Sequence, residues 1–233
     1  MNKPLCIVAG VGPGNGLALC KKFLDEGYQV GILARNLERM KEYANGSEDI
    51  FPFSCDLSDP NSINEVFSQI TNTLGVPKVV IYNAGSGLFG APLETSLSDF
   101  EGAWRLNALG LLSVSKFVAP MMIKNGGGNI LITGATASLR GGAKFAAFSS
   151  AKAAQRNLAQ SLARSLGPEG IHVSLIIIDG VIDIPRTREM FPGKPDSFFM
   201  QPDDIADTYY NLTQQNKTAW TFEVDIRSSS EVW

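Results

Sequence analysis

Phe148 and Lys152 stand four residues apart in the stretch AAFSSAKAA, residues 146–154, an interval that projects two side chains from one face of a helix. A lysine in so apolar a setting is either a solvated surface residue or a functional cation able to hold a ligand hydroxyl and to act as a weak acid. Phe148 has no such chemistry, because a phenyl ring neither ionises nor donates a proton. A second group lies near the start, where VAGVGPGNGLA sets Gly10, Gly14 and Gly16 directly after an apolar run. Glycines permit a tight turn and let a diphosphate approach the backbone, while free N–H groups at a helix start supply donors and a positive dipole end. A purely structural glycine turn is the alternative. A third group is GILARN, which ends in Ala34 and Arg35. A guanidinium there can grip a phosphate with a two-pronged hydrogen bond, or it simply sits on the surface.

The elements that must position these groups follow from periodicity. Short β-branched runs predict strands at 5–9, 29–33, 50–54, 78–82, 129–133, 172–177 and near 220–224. Segments of helical period predict helices at 14–26, 37–44, 60–73, 98–124, 146–166 and 202–214, each bounded by Gly, Pro, Asp, Ser or Asn. Strand and helix alternate along the chain, the pattern of a parallel sheet covered on both faces. The expected fold is therefore α/β: a Rossmann-type, doubly wound, parallel seven-stranded sheet in a three-layer α/β/α arrangement, as a single domain over residues 1–233. Residues 181–200, VIDIPRTREMFPGKPDSFFM, carry no clear element. They follow the carboxyl end of a buried strand, so a lid is expected there, with Met190, Phe191, Phe198, Phe199 and Met200 either lining an apolar pocket or packing the loop onto the body.

Composition excludes several classes of function. The 233 residues are 44% hydrophobic and 18% charged with a net charge of -3, and the Lys and Arg residues are scattered, so no nucleic-acid partner is expected. Cys6, Cys20 and Cys55 are odd in number and lack metal-ligand spacing, which points away from a disulfide framework or a metal site and toward a reducing compartment. His172 lies in IHVSLIII and reads as an ordinary strand residue. Glycines interrupt LCIVAGVGPGNG too early for a signal-peptide core, and LGLLSVSKFVAP is too short to span a bilayer. No membrane partner is expected, and the protein is placed in the cytoplasm.

The spacing GxxxGxG, read with CDLSD, YNAG and WRLNALG in that order, resembles the short-chain dehydrogenase/reductase family along most of the chain. The resemblance implies a nicotinamide dinucleotide seated on Gly10, Gly14, Asn15 and Gly16, with Asp56 and Leu57 beside the adenine. It also implies that Asn83, Ala84 and Gly85 form a supporting loop and that Asn107 is the structural member of the catalytic group. An acidic residue would normally bind the ribose 2'-hydroxyl at the end of the second strand; Ala34 and Arg35 stand there instead, so NADP(H) is expected in preference to NAD(H).

The same resemblance shows what is missing. Family members use Tyr-x-x-x-Lys with a Ser thirteen residues before the Tyr; here those positions are Phe148 and Ala135, with Lys152 kept as ribose ligand and weak acid. The register either slips by one, onto Thr136, or the loop presents Ser138; Tyr82 is a further hydroxyl, and no single replacement is favoured. Ser149 and Ser150 are rotated about 100 and 200 degrees around the helix from Phe148. The Thr that holds the nicotinamide carboxamide in the family is Ile184 here, after Asp179-Gly180. The expected function is an NADP(H)-preferring oxidoreductase acting on a small carbonyl or alcohol with an altered proton donor; the alternative is an inactive nucleotide-binding sensor or assembly partner. A homodimer or homotetramer is expected through the two long helices, with the ending TFEVDIRSSSEVW available for an oligomer contact.

Overall fold

A computed structural model describes residues 3–85 and 87–230. Strands β1 (Leu5–Ala9), β2 (Gln29–Ala34), β3 (Ile50–Ser54), β4 (Val79–Tyr82), β5 (Gly128–Thr133) and β6 (Ile171–Asp179) alternate with helices α1 (Asn15–Asp25), α2 (Leu37–Ala44), α3 (Pro60–Thr73), α4 (Leu97–Trp104), α5 (Gly110–Lys124) and α6 (Ala146–Leu166). Beyond β6 come β7 (Val181–Ile182), α7 (Pro185–Met190), β8 (Phe199–Met200), α8 (Pro202–Thr213) and β9 (Glu223–Arg227). The main sheet runs β3-β2-β1-β4-β5-β6-β9, seven strands, all paired in parallel.

Period-2 alternation builds the three layers. In β1, Leu5, Ile7 and Ala9 enter one core with Phe67, Val114, Val118 and Ala159 of α3, α5 and α6. Cys6 and Val8 enter the other, with Leu19, Phe23, Met40 and Tyr209 of α1, α2 and α8. The strand order reverses between β1 and β4, which opens a crevice at their carboxyl ends.

Three expectations are corrected. The last strand occupies Glu223–Arg227 rather than 220–224, because Trp220 stacks on His172 and the Thr221 carbonyl accepts from Ser174, anchoring this stretch before the ladder begins. The helix expected at 98–124 is two α segments joined by a π turn, Arg105–Leu109; together they make a 28-residue helical run whose most apolar window has mean hydropathy 1.5 and is half buried. That run meets the length and composition of a bilayer span, unlike the shorter stretch read from sequence, and it serves here as a core helix. Residues 181–200 are folded: β7 pairs with β8, and Arg188 bonds Asp183 and Asp196 at 2.6 and 2.7 Å. Of the five apolar residues expected to line a pocket or pack the loop, Phe199 and Met200 are buried and Phe198 contacts both Phe191 and Phe199, so these four pack the strap, while Met190 is exposed.

Candidate active site

A cavity of about 1180 Å³ opens at the carboxyl ends of the strands, larger than the 300–1,000 Å³ of most single-ligand pockets. Its floor is the glycine turn. Gly10 has φ +99°, and a Cβ there would stand 2.6 Å from the Ala84 backbone, so only glycine lets the β1 and β4 loops meet. Asn83 closes this junction: its Nδ2 donates to the Gly10 carbonyl at 2.7 Å and its Oδ1 accepts from Thr133 Oγ1 at 2.9 Å. Helix α1 begins at Asn15 with no acidic residue or side-chain cap in its first turn; the Leu17 N–H turns to the Gly12 and Gly14 carbonyls, which leaves the Asn15 and Gly16 N–H groups and the dipole to whatever lies in the crevice. Gly14 meets the strap, where a Cβ would fall 2.5 Å from Ile184 Cγ2; Ile182 and Ile184 are the strap residues that line the cavity.

Arg35, Asp56 and Leu57 line the end of the cavity beyond β2 and β3. Asp56 accepts from the Ser58 backbone and hydroxyl at 2.9 and 2.7 Å, which holds its carboxyl below the usual range. Arg35 adds a favourable charge beside it.

Lys152 is buried on the cavity wall, and its Nζ donates to the Thr133 carbonyl at 2.7 Å and to Gln155 Oε1 at 3.0 Å. Neither partner carries charge, so burial governs and lowers the amine from 10.5 to about 7. Asn107 lies in the π turn, where the altered winding places its Nδ2 on the Ala103 carbonyl at 2.9 Å. A Cβ on Gly85 would lie 3.4 Å from Lys152 Nζ and 3.5 Å from Asn107 Oδ1, so these two polar atoms flank one small residue. Among the described residues, Asn107 Oδ1 and Asn15 Oδ1 are buried without a hydrogen-bond partner. A glycine-floored cleft, an uncapped helix start, a guanidinium and the orphaned acceptor of Asn15 fit an elongated, polyhydroxylated phosphate ester.

The hydroxyls sort clearly. Thr136 lines the cavity and donates to Asp179 Oδ1 at 2.6 Å, while Asp179 Oδ2 pairs with Arg227 at 3.1 Å. Ser138 is buried in a 3₁₀ turn and its hydroxyl donates to the Ala135 carbonyl at 2.7 Å. Tyr82 is withdrawn: its ring is core and its hydroxyl donates to the Leu106 carbonyl. Ser149 bonds the Phe145 carbonyl, and Ser150 is exposed. Phe148 and Ala135 both line the cavity, Phe148 within a ring cluster with Phe89 and Phe145.

Sequence reasoning missed Gln155, Asp179 and Arg140 as site residues. Gln155 was within reach, lying three residues after Lys152 on the same helical face. Asp179 and Arg140 come to the cavity only through strand order.

The short chain dehydrogenase family model matches residues 5–193. An uncharacterized short-chain type dehydrogenase/reductase of Sinorhizobium fredii is 30% identical over 214 residues, which covers 85% of each chain. The crystal structure of a short-chain dehydrogenase from Rhodopseudomonas palustris superposes with a TM-score of 0.83 at 33% identity, covering 97% of this chain and 99% of that one. A short chain oxidoreductase from Pseudomonas aeruginosa, determined with NADPH and containing an atypical catalytic center, shares the fold at a TM-score of 0.88, with 20% identity and 99% of each chain covered.

Proposed function

The chain belongs to the short-chain dehydrogenase family, and from that premise we propose that it is an NADP(H)-preferring oxidoreductase of small carbonyls or alcohols in which Lys152 moves the proton. The observation that carries this reading is the Lys152 amine, buried on the cavity wall between two uncharged acceptors, with a phenyl ring at the position four residues earlier.

Gly10, Gly14, Asn15 and Gly16 would hold the diphosphate, Asp56 and Leu57 the adenine, and Arg35 the 2'-phosphate, with Asn83, Ala84 and Gly85 as support and Lys152 also reaching the ribose. When bound, the nicotinamide supplies or accepts hydride. The protein's own part is the proton. Two Nζ hydrogens of Lys152 are engaged by Thr133 and Gln155, and an ammonium has three, so one remains, to reach the substrate oxygen through the ribose hydroxyl or an intervening water. A pKa of about 7 suits an acid that must give up its proton near neutrality. Thr136 can donate to a substrate oxygen only by leaving Asp179, so its role is orientation. Phe145 and Phe148 give an apolar wall.

The test is NADPH consumption over a carbonyl panel. Lys152→Ala is expected to lose roughly 100 to 10,000-fold in kcat, the value of a general acid, and Thr136→Ala much less; equal losses would shift the role to Thr136. The same reading places the protein in the cytoplasm, acting on a small molecule with neither nucleic acid nor membrane as partner; its three cysteines are free and buried. It also has the protein as a homodimer or homotetramer, supported by Leu97, Phe100, Trp104 and Leu112 exposed along the 97–124 helical run. The tail contact suggested by the chain's ending extends to residues 231–233, outside the described residues.

A further inference from the structure

The cavity has a second cationic end. Five charged side chains line it: Arg35, Asp56, Arg140, Lys152 and Asp179. Asp56 is bonded to Ser58, Lys152 to Thr133 and Gln155, and Asp179 to Thr136 and Arg227. Arg35 faces the Asp56 charge. Arg140 has no side-chain hydrogen bond or ion pair among the described residues, and it is exposed at the cavity wall.

Strand order places the two guanidiniums on different loops. Arg35 follows β2 and Arg140 follows β5, with β1 and β4 between them; three strand spacings, about 14 Å, separate the strands that carry them. Arg140 lies on the loop that joins β5 to α6, the helix of Phe148 and Lys152; its neighbour Gly141 faces that helix, where a Cβ would lie 3.6 Å from Ser149 Oγ, and Lys152 bonds the Thr133 carbonyl at the start of the same connection. The Asp179 carboxylate makes its ion pair with Arg227, which it shares with Asp225, and not with Arg140.

We infer that the substrate is an apolar carbonyl or alcohol bearing a carboxylate: its hydrophobic part lies on Phe145 and Phe148, its oxygen meets Lys152, and its anionic group is bound by Arg140. This rests on the oxidoreductase reading above and adds the substrate class to it. A planar carboxylate matches the two-pronged donor of a guanidinium, and a group that binds ground and transition states alike moves KM rather than kcat.

The probes are 4-acetylbenzoate and its neutral methyl ester, titrated calorimetrically into the NADP+-saturated protein after a separate titration of NADP+ itself. The acid is expected to bind roughly tenfold tighter than the ester, a difference of about 1.4 kcal/mol. In Arg140→Gln the two should bind alike, with NADP+ affinity unchanged; Arg140→Lys should keep part of the preference. Equal binding in the wild type, binding of neither probe, or a preference that survives Arg140→Gln would overturn the inference while leaving the coenzyme site standing. Failure of NADP+ itself to bind would remove the oxidoreductase reading, and this inference with it.

Discussion

Lys152 is a buried amine without a counter-charge, which bears on stability as well as on the proposed chemistry. Its pKa of about 7 lies below the ordinary 10.5, so between those values the unfolded chain carries more protons than the folded one. The contribution of this group to stability therefore rises with pH from about 7 upward and is least below 7. Comparing urea unfolding of the wild type and Lys152→Met, without coenzyme, the difference should change by about 3 kcal/mol in favour of the wild type between pH 7 and pH 9.5, at 1.36 kcal/mol per unit. A pH-independent difference would mean that the amine is not held in low dielectric. Phe148 makes the complementary residue-scale prediction. Its ring already lines the cavity, so on the proposed reading Phe148→Tyr with Ala135→Ser should add a phenol and a hydroxyl to the lining and raise the rate of carbonyl reduction; no gain would show that the cavity holds its substrate in another pose.

Elements explain why the site has its shape and how much of it could be read beforehand. At the β1–β4 junction, Gly10→Ala forces a Cβ within 2.6 Å of Ala84 at a positive φ. A strained backbone of this kind costs about 1–3 kcal/mol, and melting should fall by roughly 2–4 °C per kcal/mol for a chain of this size; an unchanged melting temperature would mean that the two loops do not touch. In the strap, Arg188 bonds Asp183 and Asp196 and covers the Phe199 ring at 4.0 Å. Arg188→Ala is expected to speed amide exchange across 181–200 while leaving α6 protected, and uniform protection would contradict the latch. Helices α2 and α3 were legible in sequence because their caps are local: Asn36 accepts from Arg39 N and Asp59 from Asn61 N. The same locality made the glycine turn and the Phe148–Lys152 interval readable. The strap was not, since elements of two to six residues produce no periodicity. The pairing of Thr136 with Asp179 and of Tyr82 with the Leu106 carbonyl arises from packing between elements distant in sequence, so spacing could not reveal it; Ser138 is held locally, by the Ala135 carbonyl three residues before it.

At the scale of the whole molecule, one sheet edge gathers a glycine turn from its first strand, a guanidinium from its second, a supporting loop from its fourth and the lysine of α6 into a single cavity. The cleft should therefore respond to coenzyme as a unit. NADPH at a hundred times its Kd should stabilise the protein by about 2.7 kcal/mol, NADH at equal concentration should do so less, and Arg35→Asp should reverse the order; an order unchanged in Arg35→Asp would place the 2'-phosphate elsewhere. The central claim is that Lys152 moves the proton in place of a phenol, and the pH dependence of kcat for NADPH-driven carbonyl reduction tests it most directly. The account predicts a wild-type rate that falls as pH rises through about 7, and a Lys152→Ala variant at least roughly 100-fold slower with that inflection gone. A wild type that reduces no carbonyl while Phe148→Tyr with Ala135→Ser does, or a Lys152→Ala variant that keeps both rate and inflection, would contradict it.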